Sequence, residues 1–204
     1  MRKVSYDDVN VGKRTKQIVY LCDESDKATM FEFYLRKSRK KQMAVVVKSK
    51  RRADELSNYL NSKDVKAVAI HGNHRKEQVE KVSQEFNKEE INILITTDKI
   101  LQFLGLENLE TIVNYDLPSE YENYFNRLLL VDEVGESISF VSPEEEDYLS
   151  IIQMRQKNNI PQEVFEDFVS TDNVTHITKE KKKKPRHRNK KTRKDEKSDE
   201  KEED

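Results

Sequence analysis

The 204 residues predict an α/β fold, a mostly parallel β-sheet sandwiched by helices, followed by a charged C-terminal tail. Three observations carry this. Apolar runs of strand length alternate with segments whose apolar residues recur at helical spacing. The runs Met43–Val47 (MAVVV) and Ile91–Ile95 (INILI) are apolar almost throughout, as strands buried on both faces of a sheet are. The composition is 34% hydrophobic and 38% charged, against about 45–50% and about 25% in average globular chains, so part of the chain lies outside any core.

The elements follow in order. Gln17–Leu21 reads as the first strand, and Asp26–Lys37 as a helix with Met30, Phe31, Tyr34 and Leu35 on one face. Met43–Val47 is the second strand, and Arg52–Leu60 places Ala53, Leu56, Tyr59 and Leu60 together. Val65–Ile70 is a strand, and Val79, Val82 and Phe86 mark Glu77–Phe86 as a helix. Ile91–Ile95 is a strand, Leu101–Leu104 a short helix, Thr111–Asn114 a strand and Tyr121–Leu130 a helix. Ser137–Val141 is the last strand. Pro143–Lys157 opens with a proline and three acids, which suit the positive end of a helix dipole. Such alternation with short connections implies parallel strands joined by crossover helices.

These elements define a body over 13–170, preceded by a lead-in over 1–12 with Gly12-Lys13 as a linker turn. The tail occupies 171–204. Within it, 179–194 carries 11 Lys/Arg against one Glu, and 195–204 carries seven acids against two lysines. That leaves 25 bases and 31 acids in residues 1–178, a net charge of −6 hidden in a chain total of −1. Charge blocks this poor in apolar residues cannot offset their ordering entropy, so the tail is expected to be disordered. Its basic block, with Lys181, Lys182, Lys183, Lys184, Arg186 and Arg188, reads as a nucleic-acid arm or, more plainly, as a solubilising tail.

Several classes are excluded or disfavoured. No apolar run approaches the roughly 20 residues of a membrane helix, and the N-terminus has no signal-peptide core. Cys22, the single cysteine, forms no internal disulfide, which makes a reducing cytoplasm the expected setting. His71 and His74 stand three apart with no acid or cysteine to complete a metal set, and Asp98 and Asp116 read as lone carboxylates. No metal and no cofactor are expected.

Four segments in order resemble one family. AVVVKSKRRADEL (44–56) looks like motif IV of the DEAD-box RNA helicases, and HGNHRKEQVEKVSQEF (71–86) like the segment after it. ILITTDKILQFLGLENLETIVNYDLP (93–118) is similar to the motif V region, and YENYFNRLLLVDEVGESISFVSPEE (121–145) to motif VI and the following strand. Together they resemble the C-terminal, second RecA-like domain of those helicases, which implies a RecA-like parallel sheet.

The family's P-loop and Asp-Glu-Ala-Asp box, which belong to its first domain, have no counterpart in these residues. Val11-Gly12-Lys13-Arg14-Thr15 is the nearest approach and lacks the glycines of a phosphate cradle. The resemblance also implies a degraded ATP half-site. The family's His-Arg-Ile-Gly-Arg-x-Gly-Arg falls on Asn126 to Glu133: Arg127 is retained, but Leu130 and Glu133 replace the other two arginines. The motif V Ala-Arg-Gly-Leu-Asp falls on Leu101 to Gly105, so Gln102 replaces the arginine, Phe103 the glycine and Gly105 the ribose-holding aspartate. Val47 stands at the aromatic position of motif IV, and Lys76 and Val79 at the Gln-x-x-Arg positions.

What survives in the resemblance faces RNA. Ser49, Gly72 and Thr97 match RNA-facing positions, and Lys48, Ser49, Lys50, Arg51 and Arg52 form a basic loop at a strand end. Ordinary structural roles account for the same residues equally well: a solvated helix start, a turn and a cap. The expected function is therefore a stand-alone, catalytically degenerate domain that binds RNA non-specifically as an accessory or tethering protein, without ATPase or helicase activity. The alternatives are a module docking on another protein, such as a helicase or ribosome-assembly factor, with Leu129, Leu130 and Val131 as an apolar patch, or half of a split helicase.

Overall fold

A computed structural model describes residues 8–38, 41–132 and 134–170. Seven strands form one sheet: β1 (Lys16–Leu21), β2 (Met43–Val46), β3 (Val68–Ala69), β4 (Ile93–Thr96), β5 (Thr111–Asn114), β6 (Glu136–Val141) and β7 (Gln162–Glu163). Their order is β3-β4-β2-β5-β6-β1-β7, and every neighbouring pair is parallel. The helices are α1 (Asp8–Arg14), α2 (Lys27–Lys37), α3 (Lys50–Ser62), α4 (Lys76–Asn87), α5 (Asp98–Leu101), α6 (Tyr121–Leu128) and α7 (Glu146–Gln156).

Side chains alternate across a strand, and so each strand feeds two cores. Val19, Ala44, Val46, Leu94 and Ile112 face α1 and α4–α7, where Phe86, Leu101, Tyr124, Phe125, Leu128 and Ile152 pack. Ile18, Tyr20, Val45, Ile95, Val113 and Phe140 face α2 and α3, against Phe31, Tyr34, Leu56 and Leu60. The RecA-like arrangement expected from the sequence is the one observed. Among the described residues no helix is long and apolar enough to cross a membrane.

Four local expectations are corrected. Gly12-Lys13 is not a linker turn but part of α1. The Gly12 carbonyl accepts from Gln17 Nε2 (2.6 Å), Gln17 also reaches Gln156 Oε1 (3.1 Å), and Arg14 caps the end of α6 through the carbonyls of Leu128 (3.3 Å) and Val131 (3.0 Å). The strand expected over Val65–Ile70 shrinks to Val68–Ala69, because it lies at the sheet edge with only β4 beside it. Pro143–Glu145 forms one 3-10 turn before α7 begins. Finally, the chain after α7 returns to add β7 beside β1, and Phe165 stacks on Tyr20 with ring centroids 4.2 Å apart. The tail from 171 onward, with its six named basic residues, lies outside the described residues.

Candidate nucleic-acid interface

In a parallel sheet all carboxyl ends share one edge, where ligands usually sit. The loops after β2, β3 and β4 meet there. Ser49 is the N-cap of α3: its backbone is extended (φ −149°, ψ 156°) and its Oγ accepts from the Arg52 N–H at 3.2 Å. Lys50, the first helical residue, is exposed and reaches across to Asn73, donating to Oδ1 at 2.6 Å. It thereby crosses Gly72. A Cβ added to Gly72 would stand 3.7 Å from Lys50 Nζ and 3.9 Å from Ile100 Cδ1, so this glycine joins the start of α3 to α5. Thr97 N-caps α5 through its carbonyl, which accepts from the N–H groups of Ile100 (2.9 Å) and Leu101 (3.0 Å), while its side chain makes no cap bond.

The structure thus brings together Lys48, Ser49, Lys50, Gly72 and Thr97. Arg51 is also exposed but leans along α3, with Nε 2.6 Å from Glu55 Oε1. Arg52 departs from its reading as part of a solvated basic helix start. Its side chain is 20% exposed and pairs with Asp116 Oδ2 (2.9 Å) and Glu24 Oε1 (2.5 Å).

Beneath this edge lies a buried ionic network. Lys27, fully buried, sits 2.5 Å from Glu145 Oε2, 3.3 Å from Glu24 Oε2 and 3.7 Å from Asp116 Oδ1. Asp116 Oδ2 also accepts the Lys48 N–H at 2.9 Å, which ties the basic loop to the β5 end. Burial pushes the Asp116 carboxyl up, against the opposing pull of the Lys48 N–H, Arg52 and Lys27. Burial acts in the same sense on Glu24, but there Lys27 and Arg52 outweigh it and hold the carboxyl below its usual range. Asp116 is therefore no lone carboxylate.

Neither is Asp98. Arg127, 2% exposed, grips it bidentately: Nε to Oδ1 and Nη2 to Oδ2, both at 2.7 Å. Its remaining fork atom, Nη1, donates to Asn114 Oδ1 (2.9 Å) and to the Asp116 carbonyl (3.0 Å). The one motif VI arginine retained in this chain is therefore directed inward, where it locks α6 to α5 and β5. Gln102 and Leu130 line a crevice of only about 10 Å³ beside this pair. Gly105 has a left-handed backbone (φ +57°), where an added Cβ would meet nothing within 4 Å, and Glu133 lies outside the described residues. The expected Leu129–Val131 patch is largely core: Val131 is 3% exposed and Leu129 packs against the core, which leaves Leu130 open. Phe103, 71% exposed, is another open apolar side chain.

The sequence reading missed Asn114 and the acid beside His71, whose Nε2 stands 2.9 Å from Asp54 Oδ1. A 17-residue separation gave no periodic signal for that pair. Among the described residues no three His, Cys, Asp or Glu side chains gather as a metal site.

The model of the helicase conserved C-terminal domain family matches residues 26–128. The ATP-dependent RNA helicase CshA of Limosilactobacillus reuteri is 34% identical over 109 residues, covering 52% of this chain and 22% of that protein. The ATP-dependent RNA helicase vasa of Drosophila melanogaster is 27% identical over 149 residues, covering 72% of this chain and 20% of that protein. The crystal structure of a DEAD box protein from the hyperthermophile Methanococcus jannaschii superposes with a TM-score of 0.69 at 28% identity, over 76% of this chain and 43% of that one. This chain spans about a fifth of the length of the curated relatives it matches.

Proposed function

The chain belongs to the helicase conserved C-terminal domain family, with the RecA-like fold of DEAD-box C-terminal domains, and from this we infer that it binds RNA non-specifically as an accessory or tethering protein without ATP turnover. One observation supports this above all. Ser49, Lys50, Gly72 and Thr97 share an open edge, while Arg127 is used up by Asp98 and Asn114. A cation and a helix N-terminus on an open edge suit phosphate oxygens, which give affinity without sequence readout. The ATP side offers the reverse: Leu130 carries no charge, and an arginine in such a position typically contributes about 10³–10⁵ in rate. The basic block at 179–194 would add sequence-independent affinity with a steep salt dependence.

The test is fluorescence anisotropy with labelled single-stranded RNA across a salt series, alongside ATP hydrolysis by the same chain. Lys50→Glu is expected to weaken binding several-fold. Neutralising Lys181–Lys184 should weaken it further and flatten the salt slope. Affinity unchanged by both, or steady ATP turnover, would overturn the reading. The exposed Phe103 and Leu130 favour a second reading, in which another protein docks where ATP ligands would stand. Capture that survives nuclease treatment and is lost in Phe103→Ser would support it.

A further inference from the structure

Among the described residues Phe103 is the one aromatic side chain left open to solvent, since every other is buried or half-buried. No second ring and no cation packs on it among those residues. Its N–H donates to the Ile100 carbonyl at 2.8 Å, which places it one turn beyond Ile100 at the end of α5. Residues three or four apart on a helical turn are neighbours, about 5–6 Å between Cβ atoms, so Phe103 stands beside Ile100 and Lys99. Leu101 and Leu104 take the core side, 2% and 3% exposed. Ile100 in turn adjoins the proposed RNA edge: its Cδ1 lies 3.9 Å from a Cβ built on Gly72, and Lys50 Nζ lies 3.7 Å from the same point. The cations here are not neutralised. Exposed Lys50 donates to the uncharged Asn73 amide, and exposed Lys99 has no acidic partner among the described residues. Asp98, the acid next to Lys99 in the chain, is already gripped by Arg127. The motif V pattern carries a glycine where Phe103 stands, so the ring is a departure made by this chain.

We propose that Phe103 is a stacking platform for one unpaired base of an RNA strand whose phosphates meet Lys50 and Lys99. The proposal rests on the RNA reading and deepens it, because it makes the ligand single-stranded. Proteins that hold single strands combine cations that follow the backbone with rings on which bases stack. Inside a duplex each base is already stacked between its neighbours, so only an unpaired base can turn out onto the ring. Every base has a π-face, and stacking therefore adds affinity without sequence preference. An aromatic anchor for a protein partner is instead typically ringed by contacts that exclude water. The open chain neighbours of Phe103 are Lys99 and Gln102, which are polar and hydrated. At 71% exposed, the ring contributes little to the core, so its replacement tests binding without disturbing the fold.

The full chain has no tryptophan, so Phe103→Trp installs a single indole as a reporter. Three probes are compared at matched occupancy, followed by anisotropy: a single-stranded RNA, the same strand paired with its complement, and a ribose-phosphate strand of equal length without bases. Raised salt damps the share of binding due to the basic block at 179–194. Indole emission is expected to fall with the single strand and to stay unchanged with the other two. Phe103→Leu, apolar but without a ring, should weaken single-strand binding by about five-fold or more, leave the base-free strand unaffected and keep the urea midpoint of the parent chain. Phe103→Tyr should restore the affinity. Equal quenching by the duplex or by the base-free strand would overturn the proposal, as would full single-strand affinity in Phe103→Leu. Loss of nuclease-resistant protein capture in Phe103→Leu, with RNA affinity intact, would likewise overturn it and give the ring to a protein partner. In each of these cases RNA still binds and the reading of Lys50 survives. If none of the three probes binds at all, the RNA reading itself fails and takes the proposal with it.

Discussion

Replacing Arg127 by Met keeps most of the side-chain bulk and deletes a guanidinium that makes four hydrogen bonds, two to Asp98, one to Asn114 and one to the Asp116 carbonyl. Breaking a buried ion pair from one side costs about 3–5 kcal/mol, because the remaining charge stays desolvated. The Asp98 side chain is 30% exposed and partly rehydrates, which places the loss near the lower limit, about 3 kcal/mol. With a urea slope of about 2 kcal/mol/M for a domain of this size, the unfolding midpoint should fall by about 1.5 M. Adding Asp98→Leu to the same chain removes the stranded carboxylate and should recover part of the loss, as coupled neighbours do. The assay is equilibrium urea unfolding followed by far-UV circular dichroism. A midpoint shift below about 0.3 M would refute the reasoning, since a guanidinium that contributes so little to the fold would be free to meet a phosphate.

Three further outcomes are expected. The Tyr59 hydroxyl (2.7 Å), together with Arg36, outweighs burial and holds Glu32 below the usual carboxylate range. A depressed carboxylate contributes stability above its unfolded value that is lost as pH falls through its folded one. Glu32→Gln should thus flatten the decline in urea midpoint below about pH 4.5 while lowering the midpoint at pH 7. Gly135→Ala would bring a Cβ within 2.3 Å of Val131 Cγ1 and 2.7 Å of the Glu110 carbonyl, and should destabilise by about 1–3 kcal/mol in the same titration. Burial pushes the Cys22 thiol up to about 12 against the pull of Lys27, so a thiol reagent at pH 8 should label the native chain far more slowly than the urea-unfolded one.

The central strands were legible in the sequence because a parallel sheet buried on both faces favours near-continuous apolar runs, and Met43–Val46 and Ile93–Ile95 supply them. β7 was not, since Gln162 and Glu163 are both exposed and take their place through main-chain pairing with β1. α1 was hidden by Gly12, which a propensity reading treats as a break although packing against Gln156 leaves room for nothing larger. At the candidate site, motif positions gave Ser49, Gly72 and Thr97, which do come together. The true environment of Arg52 and Arg127 was invisible, because Asp116 lies 64 residues from the first and Asp98 lies 29 residues from the second. Charge-pair spacing rules apply within one helix, and these pairs form only once the sheet has ordered its loops.

The strand order has a temporal consequence. β1 is made first, but its neighbours β6 and β7 are made last, with about 115 residues between Leu21 and Glu136. At about 5–20 residues per second, a growing chain leaves Ile18, Val19 and Tyr20 without a neighbouring strand for roughly 6–23 seconds after they are synthesised. Meanwhile β2, β4 and β5, which lie side by side at the centre of the sheet, can pair as soon as each is complete. Translation therefore assembles this sheet outward from its middle, and its amino-terminal strand spends that interval as the segment most in need of shelter from other chains.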